Sequence, residues 1–163
     1  MIRPALRFDV IMTRNERSFD DGKAERLLEI DPNECLSLLA GSDVGRIAIV
    51  DELGPAIFPI SYRLAVVDHI PVIAIRTRSG GAIDHPATAV CFQIDGVDPG
   101  HDGGWSVLVR GVLERVDSDA SLDPMPLLPD GRDAWRVIVP TDISGRRLVA
   151  NPVRWTFNPL GYL

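Results

Sequence analysis

The segment Val72-Ile73-Ala74-Ile75-Arg76-Thr77-Arg78-Ser79-Gly80-Gly81-Ala82 decides how the rest of the chain is read. Its apolar first part, ending at Ile75, has the β-branched character of a buried strand. It gives way at once to cations and hydroxyls, then to two glycines. A strand ending in this way presents charge-assisted donors at its tip, and the glycines let backbone amides approach an oxyanion closely. That is one reading, a phosphate-sized anion site. The other is an ordinary strand end with solvated arginines and a glycine turn, because short motifs match by chance.

On either side of this segment the period is that of short strands. Val44 to Val50, Ala56 to Leu64, Ala65 to Val67 and Pro71 to Thr77 are apolar, β-branched runs. Asp51-Glu52-Leu53-Gly54-Pro55 and Asp68-His69-Ile70-Pro71 separate them as turns. Pro59 inside the second run demands a bulge or an edge position, since it has no N–H for a ladder. Gly81 to Pro86 can hold one helical turn, whose N-terminal amides would face Arg76 and Thr77. Thr88 to Asp95 and Trp105 to Val116 follow as strands around the glycine-rich loop Gly96 to Gly104. Gly111 marks a bend of the kind that closes small barrels. Trp135 to Pro140 and Leu148 to Phe157 read as two further strands, with Thr141 to Gly145 as the turn between them, and Ser118 to Pro129 is a proline-punctuated connection. Strands at short intervals without long intervening helices predict a mainly β barrel or sandwich with a few short helices.

Upstream, the segment Leu28 to Leu39 holds a helix. Asp31 is its N-cap acid, Pro32 takes the first helical position, and Glu34 lies in the first turn. Cys35, Leu36 and Leu39 fall on one face, and the helix should stop near Gly41 to Asp43. Residues 1–27 read as an irregular arm, leaving 28–163 as one domain. Val10 to Met12 could add an edge strand or pack on a partner.

Composition narrows the function classes. At 163 residues, 45% hydrophobic and 25% charged, the chain is a single soluble globular domain. A formal net charge of -6 argues against nucleic acid as a bulk partner, so the paired arginines suit a small anion better. No apolar run reaches membrane-spanning length, and the N-terminus lacks a signal-type apolar core. Cys35 and Cys91 lack C-x-x-C spacing and read as reduced, buried small hydrophobes of a cytoplasmic protein, with a disulfide as the alternative. His69, His85 and His101 lie far apart in or beside turns, without the spacing of metal ligands. There is no G-x-S-x-G elbow, no G-x-G-x-x-G opening a long helix and no Walker sequence. What remains is Arg76 and Thr77 with Gly80 and Gly81, the pair Ser61-Tyr62, and Trp105-Ser106. Hydroxyls and arginines can hold a phosphate and a polyol chain, and an aromatic can line a planar ring.

These segments, in their order, resemble the pyridoxamine 5′-phosphate oxidase-like, flavin-binding split-barrel superfamily. The resemblance runs through D-P-N-E-C-L-S-L-L, V-G-R-I-A-I-V, P-I-S-Y, I-R-T-R-S-G-G-A-I-D, V-C-F-Q-I-D and G-W-S-V-L-V-R-G, roughly Leu28 to Val116. It implies a six-stranded Greek-key barrel and a homodimer, with flavin mononucleotide (FMN) in clefts between the two chains. By position it implies Arg76 and Thr77 on the phosphate beside Gly81 and Ala82, with Ser61 and Tyr62 along the flavin. Trp105 and Ser106 would reach the flavin, from the same chain or the partner. Three positions depart from the pattern: Ala82 where relatives often carry lysine, Ser61 where asparagine is common, and Gln93 where glutamate is common. The expected function is an FMN-dependent oxidoreductase acting on a small molecule, with no catalytic side chain singled out. Pyridoxamine phosphate itself is disfavoured, because no second basic cluster serves its phosphate. The alternatives are a deazaflavin-dependent reductase using Arg146 and Arg147 as a further basic groove, or a dimeric binding module without tight flavin binding.

Overall fold

The structure, a computed structural model, describes residues 26–84, 87–97, 103–117, 122 and 131–149. Seven strands and one helix occur among them, in the order β1 (Arg26–Ile30), α1 (Pro32–Ala40), β2 (Val44–Asp51), β3 (Gly54–Val67), β4 (Ile70–Thr77), β5 (Thr88–Val97), β6 (Gly104–Arg115) and β7 (Ala134–Val149). All pairings are antiparallel, with the order β1-β7-β4-β3-β2-β5-β6 and a further β6–β7 pairing. That last pairing closes six strands into a barrel, and β1 lies outside the ring as a seventh strand on the end of β7. The mainly β split-barrel architecture is present.

The continuous apolar run of β4 is explained by burial on both faces. Ile73 and Ile75 point into the barrel, with Ile47, Phe92, Val107, Val109 and Ile138. Val72 and Ala74 point outward into a second cluster with Val137, under Leu122. Each fully buried aliphatic side chain here contributes about 1.5–3 kcal/mol of transfer free energy. The strand therefore has no solvent face until Arg76.

Strand β3 changes partner along its length. Its first half, Gly54 to Ser61, pairs with β2, and its second half, Tyr62 to Val67, pairs with β4. Pro59 stands opposite Arg46 in the half that β4 does not reach, which is the edge position a proline requires. The runs expected as Ala56–Leu64 and Ala65–Val67 are thus one strand that bends between sheets. The β3–β4 connection is a two-residue turn with Asp68 at φ 50° and His69 at φ 66°, the conformation that matches strand twist in a tight hairpin.

Three other expectations are corrected. Arg26 to Ile30, read as the end of the arm and the lead-in to the helix, pair with Val149 to Gly145 as β1, and the helix begins at Pro32, where the sequence places its first helical residue. Asp31 caps it as expected, its Oδ1 accepting from Asn33 N–H at 2.8 Å. The turn expected at Thr141 to Gly145 is absent: β7 runs unbroken through those residues from Ala134 to Val149. The register of β6 on β7 shifts between Arg110, opposite Asp142, and Gly111, opposite Pro140, so Thr141 is an extra residue. The turn-like residues mark a bulge. The third correction concerns Gly81 to Pro86: up to Asp84 it forms two successive tight turns, with Gly81 N–H bonded to Arg78 O and Asp84 N–H to Gly81 O, rather than a helical turn. The arm expected over 1–27 falls, apart from its last two residues, outside the described residues, as do the strand beyond Val149, most of Ser118–Pro129, His85 and His101.

Candidate functional site

The geometry at the end of β4 follows from strand alternation. Arg76 shares the outer face with Ala74, while Thr77 falls on the opposite face beside Ala134. The Arg76 guanidinium lies over the Trp135 ring, 4.9 Å from its centroid. Its Nε and Nη2 donate to the Arg132 carbonyl at 3.1 and 2.8 Å. The ladder of β3 on β4 ends where Tyr62 pairs with Ile75, and Ser61, the next residue of β3, is opposite Val44 of β2. The strand stops at Thr77, and Arg78 leaves it exposed to solvent.

The turn that follows is held by carboxylates of this chain. Ser79 N–H donates to Asp133 Oδ1 at 3.0 Å, and Gly80 N–H donates to Asp84 Oδ2 at 2.8 Å. Asp84 also makes an ion pair with Arg136, whose side chain is 6% exposed and whose Nη1 donates to Trp135 O at 2.8 Å. The Ser79 amide holds the Asp133 carboxyl below its usual range, and burial pushes the Arg136 guanidinium down from its own. Gly80 takes φ +70°, which glycine adopts without strain. Amides of this loop do bind anionic oxygens, and the anions are side chains of the protein.

The residues singled out in the sequence fall into two groups. Arg76, Thr77, Gly81 and Ala82 follow one another through the end of β4 and its turn, and Tyr62, next to Ser61 in β3, pairs with Ile75 just before Arg76. Tyr62 is there by its backbone only. Its ring is 1% exposed, packs edge-on to Phe92 at 4.8 Å, and its hydroxyl donates to Leu39 O at 2.7 Å. The Gly81 N–H is taken by Arg78 O, so it does not reinforce an anion site. Ala82 is exposed and lines a shallow groove of about 670 Å³ with Val50, Asp51, Glu52 and Leu53 of the β2–β3 hairpin.

Trp105 and Ser106 form the second group. They pair with Arg147 and Arg146, near the end of β7, whereas Thr77 pairs with Ala134 at its start. The intervening strand is on the order of 40 Å along its contour. Trp105 is half-buried against the barrel core, and its indole covers Gly96, where an added Cβ would stand 2.6 Å from the ring.

Sequence reasoning missed Asp84, Arg132, Asp133, Trp135 and Arg136. One signal was available: Arg136 sits inside the apolar run W-R-V-I-V, and a charge inside a buried strand requires a partner. Among the described residues no group of histidine, cysteine or carboxylate side chains could hold a metal ion. Among them, too, no helix is long and apolar enough to cross a membrane.

Comparison with known proteins agrees with this architecture. Residues 31–147 match the family model for pyridoxamine 5′-phosphate oxidase. An uncharacterized protein of Mycobacterium tuberculosis is 26% identical over 148 residues, spanning 86% of this chain and 97% of its own. Among solved structures, an FAD binding protein from Mycobacterium smegmatis is 29% identical with a TM-score of 0.57, covering 75% of this chain and 98% of that one. A proposed pyridoxamine 5′-phosphate oxidase from Corynebacterium glutamicum is 26% identical with a TM-score of 0.62, covering 80% and 99%. With its six-stranded closed barrel and a match over most of its length, the chain belongs to the pyridoxamine 5′-phosphate oxidase family.

Proposed function

We propose that this protein binds a flavin nucleotide at the end of β4, between two copies of itself, and uses it as an oxidoreductase on a small molecule. The observation that carries this reading is the cationic, hydroxyl-bearing strand end of Arg76 and Thr77, followed by exposed Arg78, with Ser61 adjoining Tyr62 on the neighbouring strand. Arginine forks suit a phosphate, and the Arg76 guanidinium is already oriented by the Trp135 face and the Arg132 carbonyl. The donor set fits a phosphate through its cations; the Ser79 and Gly80 amides are engaged elsewhere. A bound flavin supplies the redox chemistry, and the chain supplies binding and orientation. Family membership and the M. smegmatis FAD binding protein support a flavin.

FMN is the form favoured by the sequence and FAD the form that relative binds. Both carry the same ring, ribityl chain and first phosphate, which are the parts the β4 end would hold. The second copy enters through the resemblance to flavin-binding split barrels, which implies a cofactor lying in clefts between two chains. An apolar outer face of β2 and β3, with Val44, Ala48, Val50, Ile57 and Pro59, is the surface we assign to that contact. Cys35 and Cys91 are free thiols, which suits the cytoplasm. Arg146 pairs with Ser106, so a second copy would bring a cation along with it, and a longer acidic cofactor such as deazaflavin competes on that ground.

The test is an absorbance spectrum of the freshly purified protein, followed by parallel titrations with FMN, FAD and the deazaflavin coenzyme. Oxidised-flavin bands that co-elute with a dimer are expected. A colourless protein that binds none of the three overturns the reading.

A further inference from the structure

Residues Gly131 to Asp133 lie against Arg76, Arg78 and Ser79 as a ligand would. Arg132 offers its carbonyl to the Arg76 guanidinium, and Asp133 offers a carboxylate oxygen to the Ser79 amide. Gly131, at φ +71°, sits closest to Arg78, whose Nε is 3.7 Å from where a Cβ would stand. A cation and a neighbouring backbone amide are the two kinds of donor that a phosphate monoester takes. Carboxylate and phosphate are both acceptor-only anions, so they compete for one N–H.

The two carboxylates at this turn differ in how they are held. Asp84 is 15% exposed and ion-paired with buried Arg136, so it is part of the frame. Asp133 is exposed, and its carboxylate is held by the Ser79 amide at 3.0 Å, by the Ser79 hydroxyl and by its own backbone amide. An exposed charge contact of this kind is weak and exchangeable. We propose that Asp133 is a built-in competitor for the ligand's phosphate. The Gly131–Asp133 segment closes the β4 end when no oxyanion is present and is displaced from Ser79 when one binds. This deepens the flavin reading, and rests on it for the identity of the natural ligand, although the displacement concerns any phosphate-type oxyanion.

The experiment uses the full chain and its Asp133→Ala and Asp133→Asn variants. Inorganic phosphate is titrated while the Ser79 amide is followed by nitrogen–proton correlation spectra, and FMN binding is measured on the same samples. Asp133→Ala is expected to tighten phosphate at Ser79 by about three- to fivefold, the scale of one exposed charge contact. Asp133→Asn keeps an acceptor without the charge and should fall between. A Ser79 amide that responds to phosphate no better in either variant, or not at all, overturns the proposal. If phosphate binding tightens but no sample binds FMN, the displacement stands and the flavin reading is the part that fails. If FMN binds all three proteins equally and phosphate affinity is unchanged, the reverse holds.

Discussion

Asp84 and Arg136 make the contact on which the candidate site depends most at the scale of single residues. The guanidinium is almost completely buried, and its nearest carboxylate also receives the Gly80 amide, so one side chain neutralises a charge and shapes a turn. Removing the carboxylate's charge leaves an uncompensated buried cation. Asp84→Asn is therefore expected to destabilise the fold by about 2–4 kcal/mol in urea titration, whereas Arg136→Met, which removes the charge itself, should cost less. Tyr62 gives a prediction with a pH signature. Burial pushes its phenol up to about 12, above the ordinary value of 10 that an unfolded chain shows. Its folded-state pKa is raised, so the associated stability is fully present below pH 10 and is lost as pH climbs towards about 12. Unfolding free energy should fall across that window by up to about 1.4 kcal/mol per pH unit. Tyr62→Phe should flatten this slope and cost about 1 kcal/mol at neutral pH through the lost bond to Leu39 O.

At the scale of elements, the seam between β6 and β7 decides whether the barrel closes. Its register shift at Arg110/Gly111 is flanked by the Arg110–Asp142 ion pair at 2.9 Å and by the Thr141 hydroxyl bonded to Arg110 O at 3.2 Å. Gly111 is there for close approach: an added Cβ would lie 2.3 Å from Val139 O and 2.9 Å from the Ile138 side chain. Backbone cannot yield as a flexible side chain can, so Gly111→Ala should cost about 3 kcal/mol in thermal or urea unfolding. Gly80→Ala is the contrast. It meets nothing within 4 Å, and only the strain of φ +70° opposes it, for about 1 kcal/mol. Equal costs for the two would contradict the steric account of the seam.

For the whole molecule, the exposed face of β2 and β3 bears on assembly. Val50 is 75% and Ile57 67% exposed, on neighbouring rungs of one sheet face with Val44 and Pro59. This stripe, broken by exposed Arg46 with its ion pair to Asp95, is the contact surface of the dimer proposed above. In the proposed dimer, Ile57→Lys buries an unpaired cation at the contact. The expected outcome is a monomer in sedimentation velocity, with flavin affinity lost in parallel and the thermal transition of the isolated barrel retained. A dimer that survives with unchanged affinity would place the contact elsewhere.

Much of the fold was legible because it rests on local rules. The helix cap at Asp31-Pro32, the both-faces-buried run of β4, the edge demand of Pro59 and the bend at Gly111 are each determined by a few neighbouring residues. The placing of Arg76 and Thr77 at the end of β4 was also in the sequence, as the polar end of an apolar run. Other features were not, because their partners are distant. Thr141 to Gly145 has the composition of a turn, and only pairing with β6 makes it a bulge in one long strand. Tyr62 sits in a polar pair by sequence, but Phe92 and Leu39, brought by β5 and α1, place its side chain in the core. The sequence by itself determined a small β barrel with a cationic strand end. Only the tertiary structure decided that Asp133 holds the Ser79 amide, because hydrogen-bond partners 54 residues apart are brought together by sheet register and not by local preference; the Gly80 amide, by contrast, turns to Asp84 four residues on.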